Sequence, residues 1–363
     1  MSPLAPLPPT LLRRFEAAGF ARAEPQILQP AEPFLHVMGE ELRTRMFLTA
    51  DADGRDLCLR PDFTIPVALQ HIAGGDAGRA QSYFYAGPIF RQTRSGPSEI
   101  AQAGVESFGR PDGLVAETEI LALALEAAAA LGVPEPSIQL GDLALLDAAV
   151  EALEAPSALR RRLKREIAYG ETLDALNAPP PARAAHAGLF GALDAAGPDA
   201  ARTVVEDLLS LAGIATVGGR TPGEIAERFI EQNAARSAAR LPAAQRKALQ
   251  DFLAVDDLAR AAETRLGALA REGLAIGPAL ETLGRRLDAF AGAGLPVDRM
   301  RFSTRFGRRL DYYTGLVFEL GRPGAPGPLA GGGRYDGLLT ALGATRPAPG
   351  VGFALWLDRF PGA

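Results

Sequence analysis

An amide and a carboxylate stand on either side of a glycine in the segment Gln102-Ala103-Gly104-Val105-Glu106. In an extended chain Gln102, Gly104 and Glu106 face one side, because successive side chains of a strand alternate. The two polar groups would form a floor with room for a small polar ligand above the glycine. The pattern fits the solvent-exposed face of an ordinary strand equally well.

Arginines and tyrosines form a second set of candidates. Arg91 ends an apolar segment and is followed by a polar loop, and Arg308 precedes Tyr312 and Tyr313. A guanidinium is a planar, permanently charged group suited to a carboxylate or a phosphate. Adjacent tyrosines in a strand point to opposite faces, so at most one of them is expected to line a given pocket. Packing of both rings in the core is the alternative.

Glycine-rich segments late in the chain could bring the backbone close to a ligand. Residues 331–333 are three consecutive glycines, and Gly350 begins an apolar segment that runs to Arg359. Glycine allows such close approach because it has no side chain. A tight hairpin and a buried strand are the alternatives. Neither segment has the G-x-G-x-x-G spacing of a dinucleotide site, and the chain has no Walker-type phosphate loop.

The composition excludes several classes of protein. The 363 residues carry 38 Lys+Arg and 43 Asp+Glu, and the net charge of -5 argues against a surface that is basic throughout. Three histidines lie far apart, and the one cysteine, Cys58, can form no intramolecular disulfide. We therefore expect no metal site, no cofactor and a reducing, cytoplasmic compartment. The most apolar stretch, 120–133, is too short to span a membrane, and prolines near the N-terminus argue against a signal peptide.

Apolar patterns predict the elements that must position these groups. Helices are predicted at residues 10–22, 61–73 and 115–131. Short apolar runs predict strands at residues 34–38, 44–48, 57–59 and 82–90. The charged turn at 51–56 has the composition of a hairpin loop.

The pattern changes twice along the chain. The middle is rich in Ala, Leu, Arg and Glu with helical periodicity, and strand patterns return after residue 297. Strand-rich ends around a helical middle favour an α+β fold in which a helical insertion interrupts one sheet domain. We place the first part of the core at 1–155, the insertion at 156–266 and the second part of the core at 267–363.

Several segments, in their order along the chain, resemble the class II histidyl-tRNA synthetases. They are Phe90-Arg91 with its loop, Gln102-x-Gly-x-Glu106, Leu-Asp-Tyr-Tyr at 310–313, Gly-Gly-Arg-Tyr-Asp-Gly at 332–337 and the segment 350–359. Leu-Arg-Pro-Asp-Phe-Thr at 59–64 is similar to the family's Leu-Arg-Pro-Glu-Gly-Thr. The resemblance covers nearly the whole chain. It implies a class II aminoacyl-tRNA synthetase-like antiparallel sheet of six or seven strands, flanked by helices and dimerising through its N-terminal part.

The resemblance also implies a histidine pocket on this sheet. By matching positions, Asp62, Thr64 and Gln102 would hold the α-amino group of the ligand, since acceptors and a carboxylate suit an ammonium. Arg91 stands where the family's motif 2 arginine contacts the α-phosphate of ATP.

The remaining residues of the implied pocket would contact the carboxylate and the imidazole ring of the ligand. Arg308 would meet the α-carboxylate or an adjacent phosphate. Glu106 and one of Tyr312 and Tyr313 would read the imidazole, whose N–H needs an acceptor while a ring supplies an apolar wall.

Several positions depart from a working synthetase. Thr93 stands where the family has a glutamate that helps to position ATP, and Arg309 stands where it usually has a glycine. Trp356 replaces a small residue against which ATP would stack, whereas Arg359 matches the arginine of the family's motif 3, so residual ATP binding stays open. Only four residues follow Arg359, so we expect the anticodon-binding domain of a synthetase to be missing.

One branch of the family has this shape, the regulatory subunits of short-form ATP phosphoribosyltransferase. The resemblance implies a non-catalytic subunit needed for the first step of histidine biosynthesis and for its feedback control. It implies a catalytic ATP phosphoribosyltransferase subunit as partner, L-histidine as effector, a homodimer within a hetero-oligomer, no tRNA and no membrane. The alternative is a truncated synthetase-like enzyme that forms histidyl-adenylate. A scaffold that binds no histidine is a third reading.

Overall fold

The computed structural model describes residues 9–38, 40–75, 78–93, 96–155, 157–168, 203–204, 207, 241–307, 312–325 and 327–361. Arg308, Arg309 and most of the predicted helical insertion lie outside these residues. The chain divides into two compact units. One consists of Met1–Leu146 with Phe252–Ala363, and the other is Asp147–Asp251.

Twelve strands occur in the described part of the chain. In chain order they are β1 (Ala21–Arg22), β2 (Leu28–Pro30), β3 (Leu48–Ala50), β4 (Asp56–Leu59), β5 (Gln81–Phe90), β6 (Glu99–Phe108), β7 (Ser137–Asp142), β8 (Asp256–Leu258), β9 (Met300–Ser303), β10 (Leu316–Gly321), β11 (Ala330–Arg334) and β12 (Gly350–Trp356). Nine of them form the main sheet, in the order β1–β5–β6–β12–β11–β10–β7–β9–β8. The other three form a small sheet in the order β2–β4–β3.

The predicted α+β fold with an antiparallel sheet is confirmed, but the sheet is larger than six or seven strands. From β5 to β7 each of the six neighbouring strands runs antiparallel to the next. At the edges β1 pairs parallel with β5, β9 pairs parallel with β7, and β8 pairs antiparallel with β9. The edge strands β1 and β8 have only two and three residues, too few to show an alternating pattern in the sequence.

Helices of varied length accompany the sheets. They are α1 (Pro9–Ala17), α2 (Glu32–Val37), α3 (Glu40–Arg43), α4 (Thr64–Ala73), α5 (Gly113–Ala130), α6 (Leu143–Glu151), α7 (Ser157–Ala168), α8 (Ala243–Leu253), α9 (Ala259–Arg271), α10 (Gly277–Gly292) and α11 (Leu338–Ala341). Helix α5 contacts β11 and β12, and α10 packs against α5. No helix among the described residues is long and apolar enough to cross a membrane.

Some predicted elements take another form in the structure. Most of the predicted strand at 34–38 lies in the helix α2, where Pro33 is in the first turn and Phe34 and Val37, three residues apart, are buried on one helical face. The predicted helix at 10–22 ends early, at Ala17, and Gly19 follows it in the left-handed region with φ 84°. The charged turn does join β3 to β4, which pair antiparallel.

Candidate functional site

A cavity of about 450 Å³ lies on one face of the main sheet. The strand register explains which residues line it, because directly paired residues point to the same face. Glu106 pairs with Gly352, which pairs with Gly333, and Gln102 pairs with Trp356. Gly331 and Gly352 line the cavity, and because they have no side chains the cavity lies close to the sheet.

Glu106 is the most enclosed polar group of the cavity. Its Oε1 accepts hydrogen bonds from the hydroxyls of Thr64, at 2.7 Å, and Tyr85, at 3.2 Å, and its Oε2 accepts one from the hydroxyl of Tyr335. Burial raises the pKa of Glu106 to about 8, although these three hydroxyls oppose the rise. The carboxyl is therefore fixed in position and holds a proton over part of the neutral range.

Two buried oxygens face the same cavity without an internal partner. Asp62 is 4% exposed and Gln102 is 2% exposed, and both line the cavity. Within the described part of the chain, Asp62 Oδ2 and Gln102 Oε1 have no hydrogen-bond partner. Since an unpaired buried acceptor costs free energy, the pair is suited to a ligand that brings donors, above all a cationic one.

The start of α4 holds Asp62 and Thr64 in place. Asp62 Oδ1 accepts the backbone N–H of Ile65 at 3.3 Å, in the first turn of the helix. Burial raises the pKa of Asp62 to about 6, and Arg91 is the main influence that limits the rise. Arg91 also lines the cavity and donates from Nε to the carbonyl of Pro61 at 2.7 Å. Its guanidinium thus lies next to the carboxylate that precedes the helix.

Three tyrosines form an aromatic wall, which we call the tyrosine wall: Tyr312, Tyr313 and Tyr335 all line the cavity. The rings of Tyr312 and Tyr313 are 4.9 Å apart, and that of Tyr335 lies 5.6 Å from Tyr312. The prediction that at most one of the adjacent tyrosines lines the pocket is wrong. Both precede β10 and do not belong to it, so strand alternation does not separate them.

Further polar residues that line the cavity are paired within the chain. Arg359 lies over the ring of Trp356, 4.7 Å from its centroid, and donates to the carbonyl of Pro328 at 2.6 Å. Glu319 and Arg45 also line this cavity. Thr93, which is not among the residues that line the cavity, donates its hydroxyl to the carbonyl of Gly96 at 2.9 Å, within its own loop.

The cavity brings together seven of the eight residues chosen from the sequence. They are Asp62, Thr64, Arg91, Gln102, Glu106, Tyr312 and Tyr313. Arg308 lies outside the described residues. Sequence reasoning missed Tyr85 and Tyr335, and the expected room above Gly104 is filled, since a Cβ there would lie 2.5 Å from the hydroxyl oxygen of Tyr85. Alternation along β5 could have placed Tyr85 on this face, but only the pairing with β6 shows that it reaches Glu106.

Together, the polar groups of the cavity suit a small zwitterion with a polar side chain. Acceptors at Asp62 and Gln102 face a cationic group, Arg91 suits an anionic one, and Glu106 with the tyrosine wall suits a ring that carries an N–H. Among the described residues, no group of three or more His, Cys, Asp or Glu side chains could hold a metal ion.

Comparisons with known proteins show which family this chain resembles. The sequence model of the family described as Histidyl-tRNA synthetase matches residues 5–219 and 224–360. The ATP phosphoribosyltransferase regulatory subunit of Mesorhizobium japonicum is 43% identical over 359 residues, which cover 96% of this chain and 95% of the relative. The protein of the same name from Chelativorans sp. is also 43% identical, over 92% of this chain and 90% of its own length.

Solved structures show the same fold. An ATP phosphoribosyltransferase regulatory subunit/histidyl-tRNA synthetase from Bacillus halodurans has a TM-score of 0.68 at 19% identity, over 96% of this chain and 75% of that one. A histidine–tRNA ligase subunit from Alicyclobacillus acidocaldarius has a TM-score of 0.60 at 26% identity, over 96% and 88% of the two chains. The chain therefore belongs to the histidyl-tRNA synthetase-like family and, within it, to the ATP phosphoribosyltransferase regulatory subunits.

Proposed function

We propose that this chain is a non-catalytic subunit that binds L-histidine in the cavity on its sheet and assembles with a catalytic ATP phosphoribosyltransferase subunit. In that complex it supports the first step of histidine biosynthesis and carries feedback control by the product. Relatives at 40–43% identity over most of the chain bear the name of such a subunit. The proposal includes a homodimer within the hetero-oligomer, a cytoplasmic location and no binding of tRNA.

The observation that carries the proposed ligand is the pair of unpaired acceptors. Asp62 Oδ2 and Gln102 Oε1 are buried and, as far as the structure describes the chain, lack partners. An α-ammonium supplies three N–H donors and a positive charge, which would satisfy both oxygens and favour the ionised form of Asp62. Thr64 lies beside them at the start of α4.

The rest of histidine fits the remaining groups. Arg91 lines the cavity next to Asp62 and is placed to meet the α-carboxylate, together with Arg308 as the family resemblance implies. The imidazole would lie against the tyrosine wall, with an N–H directed to Glu106. Three hydroxyls already bond to that carboxyl, so its position is set before the ligand arrives.

Calorimetric titration with L-histidine tests this assignment. Asp62→Asn keeps the shape of the side chain and removes its charge, so we expect histidine to bind at least about tenfold more weakly, as for the loss of a charged hydrogen bond. Imidazolepropionate, which lacks the ammonium, should bind the variant and the wild type alike. Asp53→Asn, in the exposed hairpin turn, is the matched control and should bind histidine as the wild type does.

Two outcomes would count against the proposal. If the wild type shows no heat of binding at millimolar histidine, the cavity is not a histidine site. If the chain alone catalyses histidine-dependent ATP–pyrophosphate exchange, it forms histidyl-adenylate and the enzymatic alternative holds. The internal pairing of Arg359 and the neutral side chain of Thr93 favour the regulatory role.

A further inference from the structure

A buried ionic cluster lies on the helix-facing side of the sheet, away from the cavity. Arg286 of α10 donates from Nε to Glu117 Oε2 at 2.6 Å and from Nη1 to Asp142 Oδ2 at 2.6 Å. Glu117 of α5 accepts a further hydrogen bond from Arg334 Nε. Side chains of Arg286, Glu117 and Asp142 are 4%, 1% and 1% exposed. Of the described residues that line the cavity, none belongs to this cluster.

Stability alone is a poor explanation for such a cluster. Taking charges out of water is costly, and buried ion pairs can often be replaced by apolar side chains without loss of stability. Although burial raises the pKa of Glu117, Arg286 and Arg334 hold it below its ordinary value, so the carboxylate is charged. A cluster kept charged at this cost fixes the relative positions of the elements that carry it, here two helices and two strands.

The place of the cluster in the sheet shows which positions it fixes. β10 lies between β11 and β7. Asp142 is the last residue of β7 and pairs with Leu316, the first residue of β10, and Arg334 is the last residue of β11. Through Glu117 and Arg286, the cluster therefore joins the two strands on either side of the point where the chain begins β10.

The segment at that point carries the tyrosine wall. Thr314, directly after Tyr313, donates its N–H to the carbonyl of Arg334 at 2.9 Å, and its hydroxyl accepts the N–H of Asp336 at 3.1 Å. The next carbonyl, that of Gly315, accepts the N–H of Leu143 at 3.0 Å. The backbone after the tyrosines is thus bonded on one side to the end of β11 and on the other to the residue after β7.

β11 links the two faces directly. Arg334 points to Glu117 on the helix side, and the next residue, Tyr335, points into the cavity and donates to Glu106. Asp336 pairs with Arg334 Nη1 at 3.0 Å and accepts the N–H of Gly350 at 3.2 Å. The contacts of Arg334 and Asp336 thus hold the backbone on either side of Tyr335.

We propose that the cluster of Glu117, Asp142, Arg286 and Arg334 positions the tyrosine wall, so that the affinity of the cavity for its ligand depends on the ion pairs by which Arg286 joins α5 and β7 on the opposite face of the sheet. Arg286 is then a positioning residue that acts without touching the ligand. That the ligand is histidine rests on the proposed function. The state of these ion pairs and the ligand affinity are coupled, and the coupling acts in both directions.

The test compares Arg286→Met with Phe290→Ala. Methionine keeps the apolar stem but removes the guanidinium, and Phe290 is a fully buried residue one turn further along α10, outside the cluster. Both changes lower stability, one through an unpaired buried charge and the other through a cavity. Below the unfolding temperature, we expect Arg286→Met to bind histidine about tenfold more weakly and Phe290→Ala to bind it like the wild type.

A double variant separates positioning from stability. Asp142→Asn added to Arg286→Met removes the uncompensated charge, so the melting temperature should recover while the histidine affinity stays low. Recovery of both would show that Arg286 serves stability alone and would overturn the proposal. Should Arg286→Met fail to fold, Arg334→Lys keeps a charge but loses the forked contact, and the same weakening of affinity is expected.

If the wild type binds no histidine, the proposed function fails, and the positioning role of Arg286 is then tested by hydrogen exchange. Amides of residues 312–320 should exchange faster in Arg286→Met than in the wild type, with no such change in Phe290→Ala. Unchanged exchange in Arg286→Met would overturn the positioning role whatever the ligand is.

Discussion

The buried carboxyl of Glu106 makes stability depend on pH. Its pKa is about 8 in the folded protein against an ordinary value of 4.5, mainly because of burial. Between these values the folded state binds more protons than the unfolded chain, so stability is lost as the pH rises. Glu106→Gln removes this titrating group. We therefore expect the melting temperature of the variant, measured relative to that of the wild type, to rise between about pH 5 and about pH 8.

Thermal unfolding across this pH range measures the effect. Glu16→Gln, a change of an exposed glutamate on α1, should run parallel to the wild type. Asp62 contributes a loss of the same sign in all three proteins, because burial raises its pKa as well. Parallel curves for Glu106→Gln and the wild type would mean that Glu106 is ionised throughout the range in the folded protein.

At the scale of single residues, the sequence predicts which side chains face the cavity, but it does not predict which other side chains contact them. Gln102 and Glu106 share a face because strand side chains alternate, a local rule. Tyr85 reaches Glu106 from the neighbouring strand β5, 21 residues away along the chain, and Tyr335 from the end of β11, two strands across the sheet and 229 residues away. Such contacts depend on strand pairing, which a single sequence does not reveal.

Among the elements, strand β12 depends on a glycine that makes room for the Glu106 side chain. A Cβ added at Gly352 would overlap Glu106 Oε2 and the carbonyl of Val105. We expect Gly352→Ala to cost at least about 1–3 kcal/mol, as overpacking does, and to weaken histidine binding. Gly292, the last residue of α10, has no atom within 4 Å of such a Cβ, so Gly292→Ala should cause no loss.

Chemical denaturation and calorimetric titration of the two variants check this expectation. An unchanged midpoint for Gly352→Ala would mean that Glu106 moves aside at little cost and is not held by its three hydroxyl partners.

The elements themselves were predictable where their pattern is long, as for α5, and not where it is short. At 34–38 an aromatic and apolar run suggested a strand, but Pro33 in a first turn and the i, i+3 spacing of Phe34 and Val37 fit the helix that forms there.

On the scale of the whole molecule, the site is assembled from segments far apart in the chain. Asp62 and Gln102 come from the first part of the core, and Tyr312 and Trp356 from the second, which the sheet order places side by side. Local patterns cannot predict this strand order, and the resemblance of the motifs to a known family implied an antiparallel sheet that carries the pocket but not the order of its strands. No local sequence pattern predicts the ionic cluster, because its four residues lie far apart in the chain; Glu117 and Arg334, for example, are 217 residues apart.

Feedback control gives the last prediction. A ligand shifts a complex only as far as it binds two states of that complex with different affinity. If histidine acts through this cavity, a complex of the catalytic subunit with the Asp62→Asn chain should stay as active as the wild-type complex. It should also need at least about tenfold more histidine for half inhibition. Activity assays with each form of the chain measure both quantities. Equal inhibition of the two complexes would place the feedback site on the catalytic partner.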